Sequence, residues 1–167
     1  WTQAQVHSHG HAIEVRLYAE DPDHGFLPSS GKLTRLTLPQ PSSHVRLDGG
    51  VIEGDTVTIF YDPMIAKLIV WDVDRPSALQ RMREALAACE IVGPKSNVAF
   101  LERLVSHPSV VEHRIDTGYL DRHLDECVAG ETQPETLVVF AATVAALLHI
   151  QMPNGCIGVP ITDVTTK

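Results

Sequence analysis

The stretch HSHGHAIEVR, residues 7–16, decides how the first part of the chain folds, because its residue types recur at every second position. Alternation is the side-chain period of a β-strand, in which successive residues point to opposite faces. Followed to residue 18, the pattern assigns one face to six residues: His7, His9, His11, Ile13, Val15 and Leu17. Glu14, Arg16 and Tyr18 share the other face. The stretch therefore predicts a strand with a histidine and apolar face and a charged face.

The histidine face admits two interpretations. Three imidazoles on one face can bind zinc, so a metal-binding module built on His7, His9 and His11 is one hypothesis. Such a site also needs groups that fix the imidazole tautomers and an open position for water, and the sequence shows only the number of ligands. In the other interpretation the strand enters from solvent, with the histidines near its exposed end and the apolar residues in a core.

The charged face also admits two interpretations. Glu14 and Arg16 are two residues apart and therefore lie side by side on a strand. A guanidinium can bind a planar oxyanion through two parallel hydrogen bonds, which makes the pair a candidate anion site. From the spacing alone, the pair can equally be a salt bridge on a solvated sheet face.

The composition is typical of a globular domain and excludes some partners. The chain has 167 residues, of which 44% are apolar, and its formal net charge is −8. This charge argues against nonspecific binding to nucleic acid or to an anionic membrane. Three cysteines without a CxxC pair favour a reducing compartment. The start, WTQAQVHSHG, lacks an initiator methionine, so we expect the chain to be a segment of a longer protein.

Strands are predicted in the first half of the chain. Five segments have the alternation or the apolar content of strands: residues 11–20, 32–38, 44–50, 56–61 and 65–73. The last is almost continuously apolar and predicts a strand covered on both faces, with Lys67 as the exception. Asp62, in the preceding YDPM, is explained by turn chemistry.

Helices are predicted next. Residues 74–93 have a helical period, with Asp74 as the N-cap, Pro76 in the first turn and Gly93 at the end. Cys89 falls on the apolar stripe of this helix and is interpreted as a packing residue. Two further helices are predicted within residues 96–108, capped by Ser96 or Asn97, and within residues 115–124, capped by Asp116 or Thr117.

The remaining residues predict a linker and one more helix. We assign residues 1–126 to one domain, 127–133 to a linker, 134–150 to a helix and 151–167 to an irregular tail. The apolar run LVVFAATVAALLHI in this helix is only 14 residues long. A membrane span needs about 20 residues, so we interpret the run as a surface that packs against protein.

Five motifs in fixed order carry a resemblance to a known family. They are GHAIEVRLYAEDP, GFLPSSGKL, YDPMIAKLIVW, VGPKSNVAFL and DTGYL, and they span residues 9 to about 124. In this order and at these spacings the sequence closely resembles the C-terminal domain of biotin carboxylase. It is most similar to the α-subunits of acyl-CoA carboxylases of the methylcrotonyl- and propionyl-CoA type. The resemblance implies an α+β fold, an antiparallel β-sheet flanked by helices, followed by a C-terminal apolar helix.

The resemblance also implies a reaction and two site residues. In this family ATP and bicarbonate form carboxyphosphate, whose CO2 is added to the ureido ring of biotin. Arg16 matches the arginine that contacts bicarbonate and stabilises negative charge on the biotin oxygen. Thr117 matches the place where the chain runs close to the ATP adenine. No metal ligand is expected in this chain, because the groups that bind Mg or Mn lie in the preceding domains of the family.

The partners follow from the same resemblance. We expect the N-terminal and ATP-grasp domains of the same polypeptide, a biotin carrier domain and a carboxyltransferase subunit. The chain alone should not catalyse, and the complete enzyme is expected in the bacterial cytoplasm or the mitochondrial matrix. A third hypothesis, beside the metal-binding module, is a noncatalytic interaction domain that keeps the fold without the chemistry.

Overall fold

The computed structural model describes residues 1–128, which contain nine strands and four α-helices. The strands are β1 His11–Tyr18, β2 Glu20–Asp21, β3 Leu27–Pro28, β4 Gly31–Lys32, β5 Arg35–Thr37, β6 Val45–Gly49, β7 Thr56–Val57, β8 Met64–Asp72 and β9 Glu90–Val92. The helices are α1 Arg75–Ala87, α2 Val98–Ser106, α3 Pro108–Val111 and α4 Tyr119–Cys127. Two short 3-10 helices occupy Gln3–Gln5 and Pro22–His24.

The main sheet has three antiparallel strands in the order β1-β8-β6. The long strand β8 lies in the middle and pairs with β1 on one side and with β6 on the other. The remaining strands form three two-stranded ribbons, which pair β2 with β3, β4 with β7 and β5 with β9. The predicted fold class, an antiparallel sheet with helices, is confirmed.

One face of this sheet forms the core. Val15 and Leu17 are 9% and 0% exposed, whereas their neighbours Glu14 and Arg16 are exposed, so the predicted parity of β1 is confirmed. Helix α1 packs against β1 and β8. The core is completed by buried residues of β8 and α1: Ala66, Leu68, Val70, Leu79, Met82 and Leu86.

Helix α1 begins as predicted and ends earlier. The Asp74 side chain caps the helix by accepting a hydrogen bond from the Ser77 backbone N–H at 2.8 Å, and a proline lies in the first turn. The helix ends at Ala87 rather than at Gly93, because Glu90–Val92 forms β9 against β5. Cys89 therefore follows the helix, yet it packs against the core as predicted, and burial raises the pKa of its thiol to about 11.

Two predicted strands are shorter than expected. Residues 32–38 divide into β4 and β5, because the two halves have different partners, β7 and β9. The strand predicted over residues 56–61 ends at Val57, and Ile59, Phe60 and Tyr61 are exposed.

The predicted helix over 134–150 and tail over 151–167 lie outside the described residues, as does most of the linker over 127–133. The proposed domain boundaries therefore stay predictions. Among the described helices, none has the length and apolar content needed to cross a membrane.

Candidate functional site

The face of the main sheet opposite α1 carries a group of charged residues, which we call the charged face: Glu14, Arg16, Arg46, Asp48 and Lys67. Strand parity places the first two on this side of β1, because Val15 and Leu17 point into the core. The antiparallel register then sets Arg16 opposite Lys67, and Lys67 opposite Asp48. Three strands therefore bring five charges, distant in sequence, onto one surface.

Arg16 is exposed and held as a cation. Its Nε lies 3.7 Å from Glu14 Oε1, and 57% of its side chain is accessible to solvent. Hydrogen bonding to the Tyr18 side chain is the largest cause that raises the pKa of Arg16. The contact with Glu14 is longer than a short charged hydrogen bond, so it leaves guanidinium donors for another oxyanion.

Lys67 also lies on the charged face, a position that sequence reasoning did not assign to it. It lies directly opposite Arg16, and like charges directly opposite each other destabilise a sheet. Among residues 1–128, no carboxylate forms an ion pair with Lys67. Arg46 lowers the pKa of Asp48 by hydrogen bonding, and the charge of Lys67 lowers it further. The register therefore sets two cationic side chains opposite each other, with Asp48 on the other side of Lys67.

The structure tests two predictions, one for strand β8 and one for the turn that precedes it. On the side of β8 opposite the core, Ile65 is buried, Lys67 and Ile69 are half-buried and Trp71 is exposed, so this side is covered at the start of the strand and open at its end. Asp62 acts as predicted, because its Oδ1 accepts a hydrogen bond from the Met64 N–H at 3.1 Å and closes the turn. Burial and the charge of Asp62 raise the pKa of Glu20.

Thr117 lines a cavity of about 330 Å³ on the core side of β1. The lining is mostly apolar and includes Ile13, Val15 and Leu79. The structure therefore does not place Thr117 beside Arg16, whose side chain points to the charged face. Glu14 connects the two places, since it lines the cavity and forms the ion pair with Arg16.

Thr117 and Asp116 do not cap the helix that follows them. Helix α4 begins at Tyr119 with Gly118 as its N-cap. Asp116 instead accepts a hydrogen bond from the Gly118 N–H at 3.0 Å and pairs with Arg122 at 2.7 Å. These contacts fix the segment that carries Thr117 just before α4.

The histidines are not arranged as a metal site. The strand begins at His11, and the alternation is interrupted at Gly10, which has a positive φ of 70°. His7 and His9 are exposed, and their ring centres are 6.4 Å apart. In the part of the chain that the structure describes, no three His, Cys, Asp or Glu side chains are grouped for a metal. The metal-binding alternative therefore finds no support.

Asn97 is a second residue whose role the sequence did not reveal. It is the N-cap residue of α2, but its side chain makes no capping hydrogen bond. The side chain is buried and instead contacts the backbone of β1 at Arg16 and Tyr18. Neither proposed cap, Ser96 or Asn97, therefore caps α2 with its side chain.

The chain folds as an α+β domain whose main sheet presents an exposed arginine on its charged face. The chain belongs to the biotin carboxylase C-terminal domain family, whose model matches residues 14–122. The predicted family is thereby confirmed, and its relatives are carboxylases of the predicted kind.

Two curated relatives and one solved structure illustrate the similarity. The methylcrotonoyl-CoA carboxylase subunit alpha of Dictyostelium discoideum is 44% identical over 149 residues, which cover 89% of this chain and 21% of the relative. The propionyl-CoA carboxylase alpha chain of Ruegeria pomeroyi is 39% identical and matches 89% of this chain and 24% of its own length. The chain thus spans about a fifth to a quarter of these relatives.

The solved structure is the biotin carboxylase domain dimer of Hydrogenobacter thermophilus 2-oxoglutarate carboxylase, in complex with MgADP, ADP and bicarbonate. It is 34% identical with a TM-score of 0.73, and the match covers 78% of this chain and 29% of the other. The similarity therefore extends from sequence to fold.

Proposed function

We propose that this chain is the C-terminal part of the biotin carboxylase component of an acyl-CoA carboxylase, and that it contributes Arg16 to the ATP- and bicarbonate-dependent carboxylation of biotin. The observation that carries the proposal is the exposed guanidinium of Arg16 opposite Lys67 on the charged face. The family supports it, as does the bicarbonate bound by the similar domain of 2-oxoglutarate carboxylase.

The residues present fit the binding of a small oxyanion. A guanidinium such as that of Arg16 can donate two parallel hydrogen bonds to two oxygens of bicarbonate, because its fork matches a planar carboxyl group. Lys67 adds a second positive charge at the same place. The carboxylate of Glu14 lies 3.7 Å from the guanidinium and leaves donors of that group available. Because these charges are already in position, they can stabilise negative charge that develops on a reacting oxygen.

Biotin, when bound, supplies the ureido nitrogen that accepts the carboxyl group. This chain contributes Arg16, whose guanidinium can approach the oxygens of the carboxyl group. Within residues 1–128, no cluster of side chains could bind a metal ion. We therefore assign Mg or Mn, and most contacts to the ATP phosphates, to other domains of the same polypeptide. The proposed partners are the N-terminal and ATP-grasp domains, a biotin carrier domain and a carboxyltransferase subunit.

Thr117 is proposed to form part of the edge of the adenine site. The cavity that it lines is mostly apolar and has a volume of about 330 Å³, which suits a flat aromatic base. The fixed segment before α4 can present backbone groups to the ring edge. We propose that the complete enzyme is located in the cytoplasm of a bacterium or in the mitochondrial matrix of a eukaryote.

The test is ADP release by the complete polypeptide that contains this chain, measured with and without biotin and bicarbonate. We expect Arg16→Ala to lower the biotin-dependent rate about 100- to 1,000-fold, as for the loss of one preorganised donor. The matched control is Arg35→Ala, because Arg35 is also an exposed arginine paired with a glutamate, at 2.7 Å, but belongs to a different ribbon.

Two outcomes would contradict the proposal. If the complete protein releases ADP at a rate that biotin does not change, it is not a biotin carboxylase. If biotin dependence is present but Arg16→Ala behaves like Arg35→Ala, the domain is a noncatalytic interaction domain within such an enzyme.

A further inference from the structure

Within residues 1–128, the strand that carries Arg16 pairs with another strand on one side only, because β1 is at the edge of the main sheet. Its pairing with β8 is regular as far as Leu17, which lies opposite Ala66, and then shifts so that Tyr18 lies opposite Met64. The irregularity therefore follows closely after Arg16. A second constraint on the backbone beside Arg16 would have to come from the unpaired side.

Asn97 supplies that constraint from the unpaired side. Its Oδ1 accepts a hydrogen bond from the Tyr18 N–H at 2.9 Å, and its Nδ2 donates to the Arg16 carbonyl at 3.0 Å. Its own backbone N–H donates to the Tyr18 carbonyl at 3.1 Å. A side-chain amide that donates to one backbone carbonyl and accepts from the N–H two residues later replaces the hydrogen bonds that a neighbouring strand would make. One side chain thus completes β1 beside Arg16.

The geometry separates this role from ordinary helix capping. An asparagine at an N-cap usually accepts a hydrogen bond from the backbone of the first helical turn. Asn97 makes no such bond, although it is the N-cap residue of α2. It is 6% exposed, and both ends of its amide are used by β1. Its side-chain hydrogen bonds therefore serve the strand and not the helix.

The loop that presents Asn97 is fixed by contacts that do not involve Arg16. The Lys95 N–H donates to Ser29 Oγ at 3.0 Å, and Lys95 Nζ lies 2.7 Å from Asp21 Oδ2. Gly93 has a φ of +132°, and a Cβ there would lie 2.0 Å from the Lys32 carbonyl oxygen. Because only glycine fits at this position, the loop passes close to the neighbouring backbone. Asn97 is thus presented from a rigid support.

We infer that Asn97 is the positioning residue for Arg16: it fixes the backbone of residues 16–18 so that the guanidinium has one orientation on the charged face. The inference rests on the proposed function of Arg16. Orientation matters because a displacement of about 1 Å can lower an enzymatic rate about 100-fold.

A double-mutant cycle in the complete polypeptide tests the inference. Asn97→Asp keeps an acceptor for the Tyr18 N–H and replaces the donor to the Arg16 carbonyl by an oxygen. We expect it to lower the kcat of biotin-dependent ADP release about 10- to 100-fold while the KM for ATP stays unchanged. In an Arg16→Ala background the same substitution should cause no further loss, because the group that it positions is absent. The control is Ser42→Ala, which removes the hydrogen bond from the His44 N–H to Ser42 Oγ at 3.1 Å, away from Asn97, and should stay near the wild-type rate.

The cycle distinguishes the two proposals. An equal loss from Asn97→Asp in both backgrounds, or a wild-type rate for Asn97→Asp beside an impaired Arg16→Ala, would overturn the positioning role and leave the proposed function standing. A wild-type rate for Arg16→Ala would instead overturn the proposed function.

Hydrogen exchange provides a readout that does not depend on activity. The Tyr18 amide of the wild-type protein should exchange slowly although it lies on an edge strand, because it donates to Asn97. In Asn97→Ala this protection should be lost, while amides in the middle of β8 stay protected. Rapid exchange of Tyr18 in the wild type, or unchanged protection in Asn97→Ala, would overturn the inference.

Discussion

The two faces of β1 use the same backbone for different purposes. Val15 and Leu17 are 9% and 0% exposed and pack in the core, whereas the side chain of Arg16 between them is 57% exposed. The core face depends on volume and burial, and many apolar side chains of similar size could serve there. The charged face depends on particular functional groups. Stability and activity should therefore respond to different substitutions along one strand.

The largest effect is expected on the core face. Leu17→Ala removes a fully buried side chain and should lower the free energy of unfolding by about 2–5 kcal/mol. The loss of activity should follow the loss of folded protein, with the specific rate of the folded fraction unchanged. Denaturant unfolding and the specific rate, measured on one preparation, check this. A fall in the specific rate at unchanged stability would break the distinction between the faces.

A moderate effect is expected from Lys67→Met on the charged face. The variant removes the cation opposite Arg16 and should raise the KM for bicarbonate roughly tenfold, as expected for the loss of one charged contact. Stability should change little, because the variant removes both a like charge opposite Arg16 and a favourable charge opposite Asp48. The control is Lys32→Met, since Lys32 is exposed on the separate strand β4. An unchanged KM for bicarbonate would remove Lys67 from the anion site.

A smaller effect, on stability alone, separates two aspartates of the main sheet. Asp72 lies on the core side and accepts hydrogen bonds from the Val73 N–H at 2.8 Å and from Arg81 Nε at 2.8 Å, whereas Asp48 pairs with Arg46 on the charged face. We expect Asp72→Asn to lower the melting temperature more than Asp48→Asn does. Equal effects of the two substitutions would show that burial does not distinguish the pairs.

The lowered pKa of Asp72 also predicts how stability depends on pH. The backbone hydrogen bond from Val73, followed by the bond from Arg81, lowers the pKa of Asp72 in the folded protein. A lowered folded pKa contributes stability above the pKa of the unfolded chain, about 3.9, and this contribution is lost as the pH falls through the folded value. Below about pH 4, Asp72→Asn should therefore lose less stability per pH unit than the wild type. Parallel acid-unfolding curves would contradict this.

The faces of β1 could be predicted from sequence because they follow from a local period. Alternation correctly assigned Val15 and Leu17 to the core and Arg16 to the opposite side. The same rule failed for His7 and His9, because Gly10 adopts a positive φ and ends the extended conformation. A period describes a strand only as far as the backbone stays extended, and glycine is the residue most able to end it.

The contacts around Arg16 could not be predicted, because they join residues distant in sequence. Lys67 faces Arg16 only through the register of β1 against β8. Asn97 reaches Arg16 from 81 positions away, although its local pattern predicted a helix cap. Order and spacing of motifs identified the family without this geometry. The motifs did not indicate that Lys67 lies opposite Arg16 or that Asn97 binds the backbone of β1.

We propose that Arg16 serves chemistry and contributes little to folding. The most direct test is Arg16→Met in the complete polypeptide, with the melting temperature and the biotin-dependent ADP release measured on the same preparation. We expect an unchanged melting temperature, because Met keeps an apolar stem on an exposed position, together with a rate that falls about 100-fold or more. A melting temperature that falls together with the rate, or a rate that stays at the wild-type value, would contradict it.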